Sequence, residues 1–218
     1  MIAVRRIWKN DYFKTVVAIV LIVAVVLAFF FGLQLVLNTS YPALTVESGS
    51  MSIPYDSSDS FWLSITHPFD RTLSIGDIII IQGANPKDLN TKYPNSDIIV
   101  FHDPLNPSEL IVHRIIGTEV VKGVTYYKTK GDGNGNAWPQ TPQVGFDPWD
   151  SNNPPGVPQN LIVGKVVMRI PWFGWVTLFM RNNQWGLPVV ITLIMLLIII
   201  EFVAPVFRAK KQPEQKTQ

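Results

Sequence analysis

The chain has 218 residues, with 18 basic and 16 acidic side chains, no cysteine, and a formal charge of only +2. So small an imbalance gives no electrostatic basis for binding nucleic acid, and without thiols no disulfide supports the fold, although an oxidising compartment would permit one. The charge is uneven along the chain: residues 1–14 carry a net +3, residues 41–185 a net −3 and residues 201–218 a net +2.

The first element is apolar. Residues 16–33 contain no charged or polar side chain, and Gln34 is followed by Leu35, Val36 and Leu37. At 1.5 Å per residue, a helix over this run crosses roughly 30 Å of hydrocarbon. A cleaved secretory signal has an apolar core of roughly 7–15 residues and a small-residue cleavage site. This run is longer and no A-x-A site follows, so a membrane anchor is expected over 15–37, behind a cytosolic tail of residues 1–14. Asn38-Thr39-Ser40 fits the N-glycosylation pattern, but so close to a bilayer it carries little weight.

Residues 41–170 are dominated by strand-like segments. The β-branched runs at 77–82 and 97–101, followed by 110–117, 124–130 and 162–170, are bounded by turn residues, and no long 3.6-residue apolar period interrupts them. Clusters of Pro, Gly, Asn and Asp at 84–96, 103–108 and 131–160 predict loops, the last unusually long. The expected fold is therefore a mainly β domain over 38–185, a small barrel or folded sheet.

A second apolar run follows. Residues 186–200 are 15 residues long, and 202–207 extend them past Glu201. That is short for a span, and a buried helix competes. The aromatic residues Trp172, Phe173, Trp175, Phe179 and Trp185 before it, and the basic residues after it, favour a second membrane helix over 186–207 with a cytosolic tail at 208–218. Glu201 would then lie near the end of the span, within reach of headgroups. With basic residues outside both spans, the positive-inside rule puts both termini in the cytosol and the β domain on the other side of a cell or endoplasmic-reticulum membrane.

Three clusters could carry chemistry. Ser50 stands in Glu47-Ser48-Gly49-Ser50-Met51, shortly after the first span. Such a cluster is commonly a turn, and no Gly-x-Ser-x-Gly elbow is present to suggest an α/β-hydrolase. A serine nucleophile needs a base. The chain has three histidines; His67 and His102 fall in predicted loops, and His113 falls inside the apolar strand. By strand periodicity His113 shares a face with Ile111 and Ile115, and Arg114 shares the other with Val112 and Ile116. A titratable ring on an apolar face costs free energy unless partnered; the strand alone leaves both a solvent-facing histidine and a base open. The third cluster is Lys130-Gly131-Asp132-Gly133-Asn134-Gly135-Asn136. It reads as a tight turn. Asp132, Asn134 and Asn136 match the first calcium-loop spacings, but Ala137 and Gln143 stand where glycine and glutamate are required, so no metal or other cofactor is expected.

In this order the clusters resemble type I signal peptidases, specifically the archaeal and endoplasmic-reticulum branch. The resemblance rests on Ser48–Met51, Gly76-Asp77-Ile78-Ile79, His113-Arg114, Thr129-Lys130-Gly131-Asp132 and Ile162-Val163-Gly164-Lys165-Val166, with a second strand at 97–101, and covers roughly residues 40–180. It implies a membrane-bound serine endopeptidase that removes signal peptides from exported preproteins, partnered by the lipid bilayer and by protein-export machinery. Ser50 is the implied nucleophile and His113 the general base. Bacterial members have a lysine at the histidine position, but Lys128 and Lys130 do not match it. Asp132 and a downstream aspartate are the implied acids, the latter Asp147 with Asp150 as the alternative. The Ser50 amide and the Ser48 hydroxyl are the implied oxyanion donors, and small side chains are implied before the scissile bond. Two departures stand out: Ser50-Met51-Ser52-Ile53-Pro54 is one residue longer than the usual pattern, and about twenty residues, including Phe61, Trp62 and His67, are inserted before Gly76. The competing readings are a non-catalytic, double-anchored surface scaffold or receptor, and a membrane serine protease with other substrates, such as pilins.

Overall fold

The structure, a computed structural model, describes residues 11–53, 67–69, 72–134, 147–151 and 155–209. Helix α1 spans Asp11–Leu37. Its 22-residue stretch Val16–Leu37 is apolar on every side and unburied by the rest of the protein, and among the described residues it is the one helix long and apolar enough to cross a membrane. The helix ends at Asn38, whose positive φ of 50° turns the chain, while Thr39 N–H closes back on the Gln34 carbonyl at 3.2 Å. Gly83 N–H, just past the end of a strand, donates to the Leu37 carbonyl at 2.8 Å and ties the helix end to the sheet.

Seven strands follow: β1 Ala43–Thr45, β2 Ile78–Gln82, β3 Ile98–His102, β4 Leu110–Val121, β5 Val124–Lys130, β6 Val157–Pro158 and β7 Ile162–Ile170. They form one antiparallel sheet in the order β1-β2-β7-β3-β4-β5-β6. Strand β3 lies near its centre and explains the run Ile-Ile-Val-Phe. Ile98 and Val100 enter one core with Val46, Met51, Leu73, Ile79, Ile81 and Val166. Ile99 and Phe101 enter a second core with Ile115, Tyr127, Trp149 and Val157. A strand buried on both faces has no polar alternation. Register shifts at Ile80/Ile81, Val100/Phe101 and Ile115/Gly117 bend the sheet around the two cores.

Strands β5 and β7 have the predicted bounds, and β4 runs four residues further than predicted, to Val121. Strands β1 and β6 were not anticipated; with three and two residues they are too short for any period to register. His102, expected in a loop, is the last residue of β3. The aromatic stretch before the second apolar run also holds an unanticipated helix, α2 (Trp175–Asn182), which buries Leu178 and leaves Trp175, Val176 and Phe179 exposed. Helix α3 (Gly186–Ala209) follows, with an apolar stretch, Gly186–Ile200, shorter than that of α1.

Candidate active site

Ser50 is the middle residue of a single 3-10 turn, Gly49–Met51, that follows β1. Met51 is buried in the first core and Ser52 N–H closes the turn on the Gly49 carbonyl at 2.9 Å, which leaves Ser50 half-exposed at the core's edge. The Ser50 carbonyl accepts from Gly133 N–H at 2.8 Å, so the segment after β5 lies directly against the serine backbone. A Cβ on Gly131 would come within 2.3 Å of that carbonyl and 2.9 Å of His113 Nε2, and one on Gly133 within 2.4 Å of the Ser52 carbonyl. The Gly-Asp-Gly sequence thus answers a close approach of two backbones, which any side chain would obstruct.

His113 stands on β4 opposite Ile99 of β3, on the face it shares with Ile111 and Ile115, and its side chain is only 8% exposed. Its Nε2 lies 3.1 Å from Ser50 Oγ. Its Nδ1 lies 2.6 Å from Asp147 Oδ2. Asp147 is buried and begins a turn, Pro148–Ser151, whose Trp149 packs edge-on against Phe101 in the second core, with ring centroids 5.7 Å apart. The same Asp147 Oδ2 accepts from Thr129 Oγ1 at 2.6 Å, and Thr129 Oγ1 accepts from Trp149 Nε1 at 3.2 Å. A buried carboxylate needs such donors.

Asp132 stands elsewhere. Adjacent strand residues point to opposite faces, so Arg114 turns away from His113 and takes the second acid. Arg114 Nε and Nη2 grip both Asp132 oxygens at 2.9 Å, and its Nη1 donates to the Ser96 and His67 carbonyls at 2.8 and 3.0 Å. Both side chains are fully buried, which makes this bidentate pair a structural clamp. Asp132 N–H also points at Met51 Sδ, 3.3 Å away, so the clamp holds the Ser50 turn from behind.

The other predicted residues distribute as follows. The Ser48 hydroxyl is 3.2 Å from Ser50 Oγ. Asp150 lies in the turn after Asp147, with its side chain outside the described part of the structure. Of the lysines weighed as bases, Lys128 pairs with Glu119 at 3.0 Å. Lys130 is buried; desolvation pushes its ammonium pKa down, and Asp132 and Asp147 counter part of that shift. His102 Nδ1 meets the Pro107 carbonyl at 2.8 Å. His67 Nε2 sits 2.6 Å from buried Asp97. Asn134 follows the clamp, whereas Asn136, Ala137 and Gln143 fall outside the described residues, as do Pro54, Phe61 and Trp62 of the extended and inserted stretches. Thr129 and Trp149 are the participants that sequence reasoning passed over. Thr129 sits inside the quoted Thr-Lys-Gly-Asp motif and Trp149 two residues after Asp147, so adjacency was the available signal.

Chemically, a serine hydroxyl, an imidazole and a carboxylate are joined in a line, the last two screened from water. Such a line can abstract the hydroxyl proton and stabilise the imidazolium that results. Compared with known proteins, the chain matches no protein-family profile and no curated protein.

Proposed function

We propose that this chain is a membrane-anchored serine endopeptidase that releases signal peptides from exported preproteins. The observation that carries the reading is the hydrogen-bonded line Ser50–His113–Asp147, at 3.1 and 2.6 Å, in a sheet domain joined to the end of a membrane-length helix. Neutral His113 takes the Ser50 proton as Oγ attacks the scissile carbonyl carbon, giving a tetrahedral oxyanion. Collapse breaks the C–N bond; the imidazolium returns its proton to the leaving amine, and an acyl-enzyme remains. Water, deprotonated by His113, then hydrolyses the ester and restores Ser50. The Ser50 amide and the Ser48 hydroxyl are the oxyanion donors in this reading. The substrate binds extended along a sheet edge and presents small side chains before the cut.

The anchor fits a substrate that is itself held in the membrane, because it confines the reaction to a layer beside the bilayer. In the topology we propose, α3 also enters the membrane, both termini are cytosolic and the sheet domain faces away from the cytosol. The test is cleavage of a purified preprotein in liposomes by the full-length protein beside Ser50→Ala. Wild type should yield a single cut after the apolar segment and Ser50→Ala none. Equal processing by Ser50→Ala, or none by wild type, would overturn the reading, and the latter would favour a non-catalytic surface domain.

A further inference from the structure

We infer that Thr129 and Trp149 are positioning residues that set the proton order along Asp147 and His113, and so fix which nitrogen of His113 faces Ser50. The inference deepens the acyl-transfer reading above and rests on it for its kinetic consequence, but its structural content stands on hydrogen-bond direction alone.

An indole N–H can only donate. Trp149 Nε1 is 3.2 Å from Thr129 Oγ1, so the threonine oxygen is the acceptor of that contact. The hydroxyl proton of Thr129 is then directed at Asp147 Oδ2, 2.6 Å away. The threonine donor favours the ionised carboxylate, which can only accept, so His113 Nδ1, also at 2.6 Å from Oδ2, is the donor of the other contact. Nδ1 therefore carries the ring proton. In a neutral imidazole this leaves Nε2 bare, with its lone pair toward the Ser50 hydroxyl at 3.1 Å. The opposite tautomer would set a bare Nδ1 against a carboxylate oxygen and an N–H against the serine, and could not take its proton.

Burial makes this order hold. Thr129 is inaccessible and Asp147 and Trp149 nearly so, so bulk water is kept from replacing either donor. Trp149 is wedged against Phe101, which fixes where its N–H points. Asp147 N–H meets the Thr129 carbonyl at 3.3 Å, which keeps the carboxylate alongside the threonine. The aspartate is thus aimed by strand β5 and by the second core, although it belongs to the segment that follows.

The test uses the full-length protein with Thr129→Val, which keeps shape and removes the hydroxyl, Thr129→Ser, which restores it, and Trp149→Phe, which keeps an aromatic ring in the core and removes the N–H. With a preprotein substrate, Thr129→Val should lower kcat by roughly 10–100-fold at nearly unchanged KM, and Trp149→Phe by less, as expected when a group acts only on transition-state alignment. The acid limb of the rate profile should move to higher pH in Thr129→Val, because a carboxylate relieved of one donor holds an imidazolium more tightly. Thr129→Ser should return both readouts. Independently of activity, histidine-selective ¹⁵N NMR, with His113 assigned by His113→Gln, should show the Nδ1–H form in the wild type and a broadened Nδ1–H proton in Thr129→Val. An Nε2–H form in the wild type overturns the inference. So does a Thr129→Val protein with unaltered kcat, pH profile and Nδ1–H signal. Either result leaves the Ser50 assignment intact, whereas a wild type that cuts nothing but shows the Nδ1–H form removes the proteolytic reading and leaves the proton order standing.

Discussion

Two histidines of this domain are held on aspartates at the same 2.6 Å, and they differ in everything around that contact. The His113 ring is 8% exposed, with Ser50 Oγ on its second nitrogen and an aspartate that is oriented by a hydroxyl. The His67 ring is 39% exposed, and its aspartate, Asp97, also receives Asn90 N–H at 2.8 Å and the Lys165 ammonium at 3.5 Å. Around Asp97 a cation and a backbone amide also meet the carboxylate, and the pair ties His67 to the residue just before β3. Around Asp147 the hydroxyl of Thr129 and the ring of His113 share one carboxylate oxygen, with the buried Lys130 ammonium acting on it electrostatically, so the imidazole is its direct ring partner. A histidine–aspartate pair is thus not a site by itself; the third partner and the competition for the carboxylate decide what it can do.

The largest contrast should come from the acids. Asp147→Asn offers His113 Nδ1 an amide that can present N–H as readily as C=O, which favours the wrong tautomer, so kcat should fall by about 10³–10⁴-fold. His113→Ala should be at least as inactive as Ser50→Ala. Thermal unfolding followed by tryptophan fluorescence, together with preprotein cleavage, checks both: the melting temperature should shift little while turnover collapses. Near-normal turnover in Asp147→Asn would equate the two pairs and remove the special standing of Asp147.

Asp97→Asn should invert that pattern. Its buried oxygens accept from His67, Asn90 and Lys165, and an amide nitrogen placed toward Asn90 or Lys165 would face a donor with a donor. Rotating the amide toward His67, whose ring can switch to acceptor, relieves part of that conflict. A loss of roughly 1–3 kcal/mol in stability is expected, with kcat of the folded protein in the preprotein assay within about twofold of wild type. A drop in kcat at unchanged stability would mean that the two pairs are coupled through the Arg114 guanidinium, which touches the His67 carbonyl on one side and Asp132 on the other.

Much of this arrangement was legible in the sequence, and the unread part has a physical reason. The β-branched runs at 124–130 and 162–170 became β5 and β7 without adjustment, because each is long enough for strand pattern and turn residues to agree. The face of His113 was readable from its period with Ile111 and Ile115. Its partners were not: Ser50 lies 63 residues before it and Asp147 34 residues after it. That Asp132 and Asp147, both implied as acids, would part company was likewise hidden, since it follows from His113 and Arg114 facing opposite ways in a sheet whose pairing the sequence does not spell out. Thr129 stood in a motif without a role of its own, because a hydroxyl's role depends on what folds back over it, here the segment carrying Trp149.

The smallest effect expected is at His67 itself. Removing its ring takes one partner from Asp97 and leaves two, so the buried carboxylate is not orphaned, and a ring this exposed was exchanging a water contact for a protein contact. His67→Ala should therefore cost about 1 kcal/mol or less of stability, with the cost shrinking further at high salt as the exposed electrostatics are screened. Turnover of a preprotein should be indistinguishable from wild type. Melting curves at low and high salt beside a single-concentration cleavage assay suffice. A large loss of turnover in His67→Ala would show that the His67 segment, followed by Leu73 whose carbonyl accepts from the Ser52 hydroxyl, shapes the path of the substrate to Ser50.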